Sequence, residues 1–248
     1  MDMGLEGKVA LVTGAARGIG AEIARAFALE GCDLCLVDLD EEGIERVAGE
    51  IRAEGRSALA VRCDVRNVEE ATRAVEQAVE QLGELHVLVC NAGITSDAVV
   101  WKMSERAWDD VVDVNLKGCF TMVRAAVPRL RERRWGRIVA VASINGLRGK
   151  AGQANYAASK AGLIGLIKSS ARELGGFGVT ANVVAPGMVM TEMTRRLPES
   201  FVTRALDDAA LDRLASPRDV ADAVVFLCSE RARSVTGEVL RVDSGQYI

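Results

Sequence analysis

Val9-Ala10-Leu11-Val12-Thr13-Gly14-Ala15-Ala16-Arg17-Gly18-Ile19-Gly20 joins a short apolar run, a glycine-rich turn and the entry to a helix-like stretch. Val9–Val12 shows no polar alternation, as expected of a strand covered on both faces. The glycines let the backbone turn sharply and approach a pyrophosphate, which the positive end of the following helix favours. Their spacing is G-x-x-x-G-x-G, not the commoner G-x-G-x-x-G. Any tight strand-to-helix turn can use glycine, so the surrounding pattern has to decide. Further apolar runs stand at Asp33–Val37, Ala58–Arg62, Val87–Cys90, Ile138–Ala142, Thr180–Val184 and Val239–Val242. Helix-like stretches separate them, at Ile19–Glu30, Glu41–Glu54, Val68–Leu82, Trp108–Arg131, Tyr156–Leu174 and Pro217–Leu227. That alternation implies right-handed βαβ units. The expected fold is α/β: a single doubly wound, Rossmann-type parallel sheet with helices on both faces, covering residues 1–248. Pro186 and Pro198 bracket one irregular region, and about 187–212 is expected to form a substrate lid.

Composition narrows the function classes. The 248 residues are 49% hydrophobic and 27% charged, which excludes a disordered or fibrous chain. A net charge of −4 is the reverse of the basic excess expected of a nucleic-acid binder. No apolar run approaches the ~18 residues of a membrane helix. The acidic start, Met1 to Glu6, does not read as a secretory signal, so a cytoplasmic protein is expected. Cys32 and Cys35 have a C-x-x-C spacing, but positions three apart on a strand point to opposite faces. His86 has no second histidine anywhere. Neither a metal nor a disulfide is expected.

Asp38 ends the second apolar run, where a carboxylate accepts from adenosine ribose hydroxyls and repels a 2′-phosphate. That favours NAD; Arg17, which can pair with a phosphate, keeps NADP possible. Asp64 and Val65 follow the third run and Asn91-Ala92-Gly93 the fourth, at the sheet edge where such folds bind ligands. Ser143 ends the fifth run. Tyr156 and Lys160, four apart, share one helix face. A nearby ammonium is expected to stabilise phenolate and lower the tyrosine pKa, so that Tyr156 can exchange a proton with a hydroxyl or carbonyl oxygen. Ser143 can hydrogen-bond the same oxygen.

Taken together, these residues make the sequence similar to the short-chain dehydrogenases/reductases, from Lys8 to Gly237-Glu238-Val239. The resemblance implies an oxidoreductase with a catalytic set of Asn115, Ser143, Tyr156 and Lys160. In it, Asn115 holds a water that relays protons, and Lys160 also binds the nicotinamide ribose. It implies cofactor contacts from Gly14, Arg17, Gly18, Ile19, Gly20, Pro186, Gly187, Val189 and Thr191, besides those named above, and a homotetramer. Gly93-Ile94-Thr95-Ser96-Asp97, Gly152–Tyr156 and Val183–Gly187 with Thr191–Thr194 resemble 3-oxoacyl-[acyl-carrier-protein] reductases; acetoacetyl-CoA reductases share much of this. The expected substrate is therefore a 3-oxoacyl/3-hydroxyacyl thioester, with acyl carrier protein a possible partner. Another secondary alcohol is the alternative, and a non-catalytic nucleotide-binding regulator the remote one. Cys90, Ser244, Asp38 and Phe177 depart from the usual pattern of these reductases, and Arg134 retains one of two basic carrier-docking positions.

Overall fold

The computed structural model describes residues 2–191, 194 and 199–248. Its strands are β1 (Val9–Thr13), β2 (Asp33–Asp38), β3 (Ala58–Arg62), β4 (Val87–Cys90), β5 (Gly136–Val141), β6 (Val179–Pro186) and β7 (Val239–Val242). They form one sheet in the order β3-β2-β1-β4-β5-β6-β7, every pair parallel. The expected doubly wound architecture is present. The chain reverses direction across the sheet between β1 and β4, and such a reversal opens a crevice at the carboxyl ends of the strands.

Helices α1 (Gly18–Leu29), α2 (Glu41–Ala53) and α9 (Pro217–Cys228) cover one face; α3 (Val68–Leu82), α5 (Gly118–Arg133) and α7 (Ala154–Leu174) cover the other. Period-two alternation sorts the strand side chains between two cores. Ala10 and Val12 pack with Ile23 and Phe27, while Leu11 packs with Met122 and Leu163. Cys32 and Cys35 fall into different cores for the same reason, and burial pushes both thiols up to about 12. All six cysteines are free and buried.

The single helix expected over Trp108–Arg131 is instead α4 (Glu105–Val112), a π-helical turn over Asp113–Lys117, and α5. Ser104 accepts from the Ala107 N–H at 3.1 Å and so starts α4 earlier. Four residues, Asn145–Arg148, form α6, and Glu199–Asp207 forms α8. No helix among the described residues is long and apolar enough to cross a membrane.

His86 shows how burial sets a protonation state. Its Nδ1 accepts the Val9 N–H at 3.0 Å, and Trp135 meets its ring edge-on. Burial, assisted by nearby Lys8, pushes its pKa down to about 4. The unfolded chain therefore binds more protons than the folded one between about 6.5 and 4, and stability falls as pH drops through that window. About 3 kcal/mol is at stake, with the loss levelling off below pH 4. The lone histidine gives one set of imidazole NMR signals, which should titrate near 4; a midpoint near 6.5 contradicts the neutral ring with Nδ1 as acceptor.

Candidate active site

The cofactor crevice is built on the β1–α1 turn. Gly14 and Gly18 have φ of +66° and +59°, a region open to glycine at little cost. Gly20 is needed for close packing: a Cβ there would lie 2.0 Å from the Gly14 carbonyl oxygen. A Cβ on Gly18 would meet only a Thr191 methyl, at 4.0 Å, so that side of the turn is open. The N-cap of α1 is Arg17, exposed and making no side-chain capping bond. The first-turn amides, Ile19 included, thus line an open cradle with a helix dipole behind it. That arrangement fits the pyrophosphate of a dinucleotide.

Asp38 stands beside this turn. Its Oδ2 accepts from Ala16 N–H at 3.1 Å, and its Oδ1 from Leu39 and Asp40 N–H at 2.7 and 3.1 Å. Asp40, not Asp38, caps α2. Asn91 ties the β4 exit to β1 by donating from Nδ2 to the Thr13 and Gly14 carbonyls at 3.0 and 3.1 Å. The N–H groups of Asn91 and Ala92 both donate to Thr13 Oγ1. Asp64 is engaged inside the protein: Arg66 grips its carboxylate through Nε and Nη2, holding its pKa below the usual range. Val65 is buried, and its carbonyl accepts from the Thr121 hydroxyl.

At the other side of the crevice, β5 delivers Ser143 and the first turn of α7 delivers Tyr156 and Lys160. Buried Asn155 positions that turn, donating to the Ser96 and Ala107 carbonyls at 2.9 and 2.8 Å while accepting from the Tyr156 N–H. Ser143 Oγ accepts from the Asn145 N–H at 3.1 Å. Asn145 donates to Gln153 Oε1 and Gln153 donates to Asp97 Oδ2, which joins three loops around the tyrosine. Asn115 lies in the π-helical turn, a distortion frequent at functional sites. Its side chain accepts from Ile94 N–H at 2.8 Å and donates to the Ile94 carbonyl and Ser159 Oγ. A Cβ on Gly93 would lie 3.2 Å from Asn115 Oδ1 and 3.4 Å from Lys160 Nζ, so these groups converge on one glycine.

The expected lowering of the tyrosine pKa by Lys160 does not occur in this structure. Lys160 Nζ donates to the Val141 carbonyl at 2.8 Å and sits 5.6 Å from the Tyr156 ring centre. Burial dominates and raises the phenol pKa; Ser143 opposes that rise and Asp97 adds to it. Burial also pushes buried Lys160 down to about 8. Tyr156 is consequently a phenol at neutral pH, a group with a proton to give.

Pro186 ends β6, and the Gly187 N–H donates to the Val242 carbonyl. Val189 is buried and bridges to Ala215, while Thr191 N–H donates to Thr194 Oγ1 at 2.8 Å. Met193, Arg195, Arg196 and Pro198, expected in the lid, lie outside the described residues. The joining role of Gln153 and the partners of Asn155 were not read from the sequence. Two amide side chains just before a tyrosine, Gln153 and Asn155, were the available signal.

A family model described as enoyl-(acyl carrier protein) reductase matches residues 14–246. The 3-oxoacyl-[acyl-carrier-protein] reductase FabG of Staphylococcus aureus is 42% identical over 242 residues, 97% of this chain and 98% of that protein. The Thermotoga maritima and Escherichia coli proteins of that name are 42% and 39% identical over 246 residues, 99% of this chain and 100% of each. The glycine cradle, the Ser143/Tyr156/Lys160 cluster and this full-length likeness agree: the chain belongs to the short-chain dehydrogenase/reductase family and is a nicotinamide-dependent oxidoreductase.

Proposed function

We propose that this enzyme reduces a 3-oxoacyl thioester to the 3-hydroxyacyl thioester. The observation that carries this is the hydrogen bond between the side chains of Ser143 and protonated Tyr156, which sets two hydroxyls side by side for one substrate oxygen. A dinucleotide held at the cradle by its pyrophosphate would supply the hydride from its nicotinamide ring. Tyr156 hands its proton to the carbonyl oxygen, and the Ser143 hydroxyl holds that oxygen in place. Lys160 places positive charge behind the phenol as it loses its proton, and Asn115 braces the Ile94 loop against α7. The curated relatives carry the matching reaction in their name, 3-oxoacyl-[acyl-carrier-protein] reductase. The family model's description names enoyl reduction instead, at a C=C bond. A protonated phenol paired with a serine hydroxyl suits a carbonyl oxygen better than a C=C bond. Oxidation of NADH or NADPH on adding acetoacetyl-CoA tests the reading, and turnover of crotonyl-CoA alone would sink it.

The proposed cofactor is NAD(H), on the charge of Asp38 beside the cradle. NADH should exceed NADPH in kcat/KM, and Asp38→Ala should narrow the gap by removing repulsion of a 2′-phosphate. A native preference for NADPH would mean that Arg17 outweighs Asp38. The carrier of the acyl group, coenzyme A or acyl carrier protein, is read from the relatives' names. Residues 187–212 are proposed as the substrate lid; α8 carries exposed Phe201 and Arg204. Six unpaired cysteines suit a reducing, cytoplasmic setting.

A homotetramer is proposed as the working form. Ala161, Gly165 and Ser169 form an exposed stripe of small side chains on α7, and Phe120 on α5 is 46% exposed. Such surfaces let helices of neighbouring copies approach closely. Light scattering at micromolar concentration should give about four times the 26.5 kDa chain mass, and a monomer would contradict it.

A further inference from the structure

We infer that Gln246, two residues before the last described residue, is a positioning residue that fixes the Ser143 loop relative to the Pro186–Met188 turn. Its Oε1 accepts the Met188 N–H at 3.0 Å, and its main-chain carbonyl accepts Arg148 Nη1 at 2.9 Å. Met188 follows the β6 exit, and Arg148 ends α6, the helix that begins just after Ser143. One residue thus bridges two of the segments that border the reacting groups.

The fit is close. Gln246 is 7% exposed, and a Cβ on Gly187 would lie 2.8 Å from its Oε1, so glycine at 187 leaves the space the amide uses. The Met188 N–H needs the amide oxygen, which fixes the orientation of the carboxamide.

The tail is itself held in a defined turn. Asp243 accepts from the Gly245 and Tyr247 N–H groups at 3.0 and 3.1 Å, and Gln246 N–H donates to the Asp243 carbonyl. Ser244 has φ of +55°, uncommon for a residue with a side chain. In that conformation its carbonyl takes the N–H groups of Ala210 and Leu211 at 2.9 and 3.1 Å. The turn therefore also grips the segment that follows α8. Contacts of this kind, confined to loops around a site, act on geometry at the reacting centre more than on the buried cores.

This inference rests on the proposed thioester reading only for its kinetic arm. Gln246→Met keeps the length of the side chain and removes the acceptor; Arg148→Met, on an exposed side chain, cuts the second tie with little risk to folding. In both, KM for acetoacetyl-CoA should rise about 10-fold while kcat changes less than 3-fold. By NMR hydrogen exchange, the Met188 amide should exchange at least 10-fold faster in Gln246→Met, with the Ile138 and Leu88 core amides unchanged. Unchanged Met188 exchange, or equal acceleration of Met188 and the core amides, overturns the inference. If the wild type does not turn over acetoacetyl-CoA, the function reading fails and the exchange result still decides the role of Gln246.

Discussion

Tyr156→Phe should bind NADH within about twofold of the wild type and lose about 10²-fold or more in kcat. A loss of that size corresponds to about 2.7 kcal/mol of barrier. The ring remains, so the packing of α7 on the crevice remains; only the hydroxyl, with the proton it gives, is removed. The structure makes the loss specific, because burial keeps the phenol protonated and Ser143 has no comparable acidity to take over. Ser143 and Lys160 are still present, so a residual rate above that in solution is expected. The measurement pairs NADH affinity by fluorescence with steady-state turnover on acetoacetyl-CoA. Near wild-type kcat would remove Tyr156 from the chemistry. Loss of NADH binding would show that the hydroxyl acts through the fold and not through the proton.

Gly20→Ala should abolish measurable NADH binding at concentrations that saturate the wild type. The added methyl would lie 2.0 Å from the Gly14 carbonyl oxygen and 2.5 Å from Asn91 Nδ2, both parts of the cradle. The carbonyl is backbone, so relief requires α1 to move away from the β1 exit, taking its first-turn amides with it. Overpacking of this kind costs about 1–3 kcal/mol, or roughly 2–12 °C in Tm for a domain of this size. Gly49, inside α2, is the matched control: nothing stands within 4 Å of its Cβ position. Gly49→Ala should leave NADH binding intact and stabilise the fold by about 0.5–1 kcal/mol. Equal NADH affinity in Gly20→Ala and Gly49→Ala would show that the turn does not hold the cofactor.

Much of this molecule is legible in one dimension because its signals are local. A continuous apolar run such as Ile138–Val141 has to be covered on both faces, and the stretches between such runs are long enough for helices. The positions of Gly14, Gly18 and Gly20 after the first run, and the four-residue spacing of Tyr156 and Lys160, are features of single turns. Each was readable without knowing what packs against it. The π-helical turn at Asn115 interrupts a stretch that reads as one helix, because it depends on the partners Asn115 finds in Ile94 and Ser159.

What the tertiary structure alone decided is the electrostatic and hydrogen-bonding state of those residues. Proximity in sequence suggested that Lys160 lowers the Tyr156 pKa; burial, which depends on every neighbouring element, raises it. Asp64 lies at the sheet edge as its place after the third run implies, and Arg66 two residues later folds back onto it, a pairing seen only in the folded chain. The role of Gln246 had no sequence signal at all, since its partners Arg148 and Met188 are brought to it only when β7 docks beside β6. Sequence determined the alternation of elements and the placement of the chemistry on turns at their ends, because backbone geometry and side-chain period are short-range. Desolvation and long-range pairing sum over the whole packed chain, and so only the folded structure decided them.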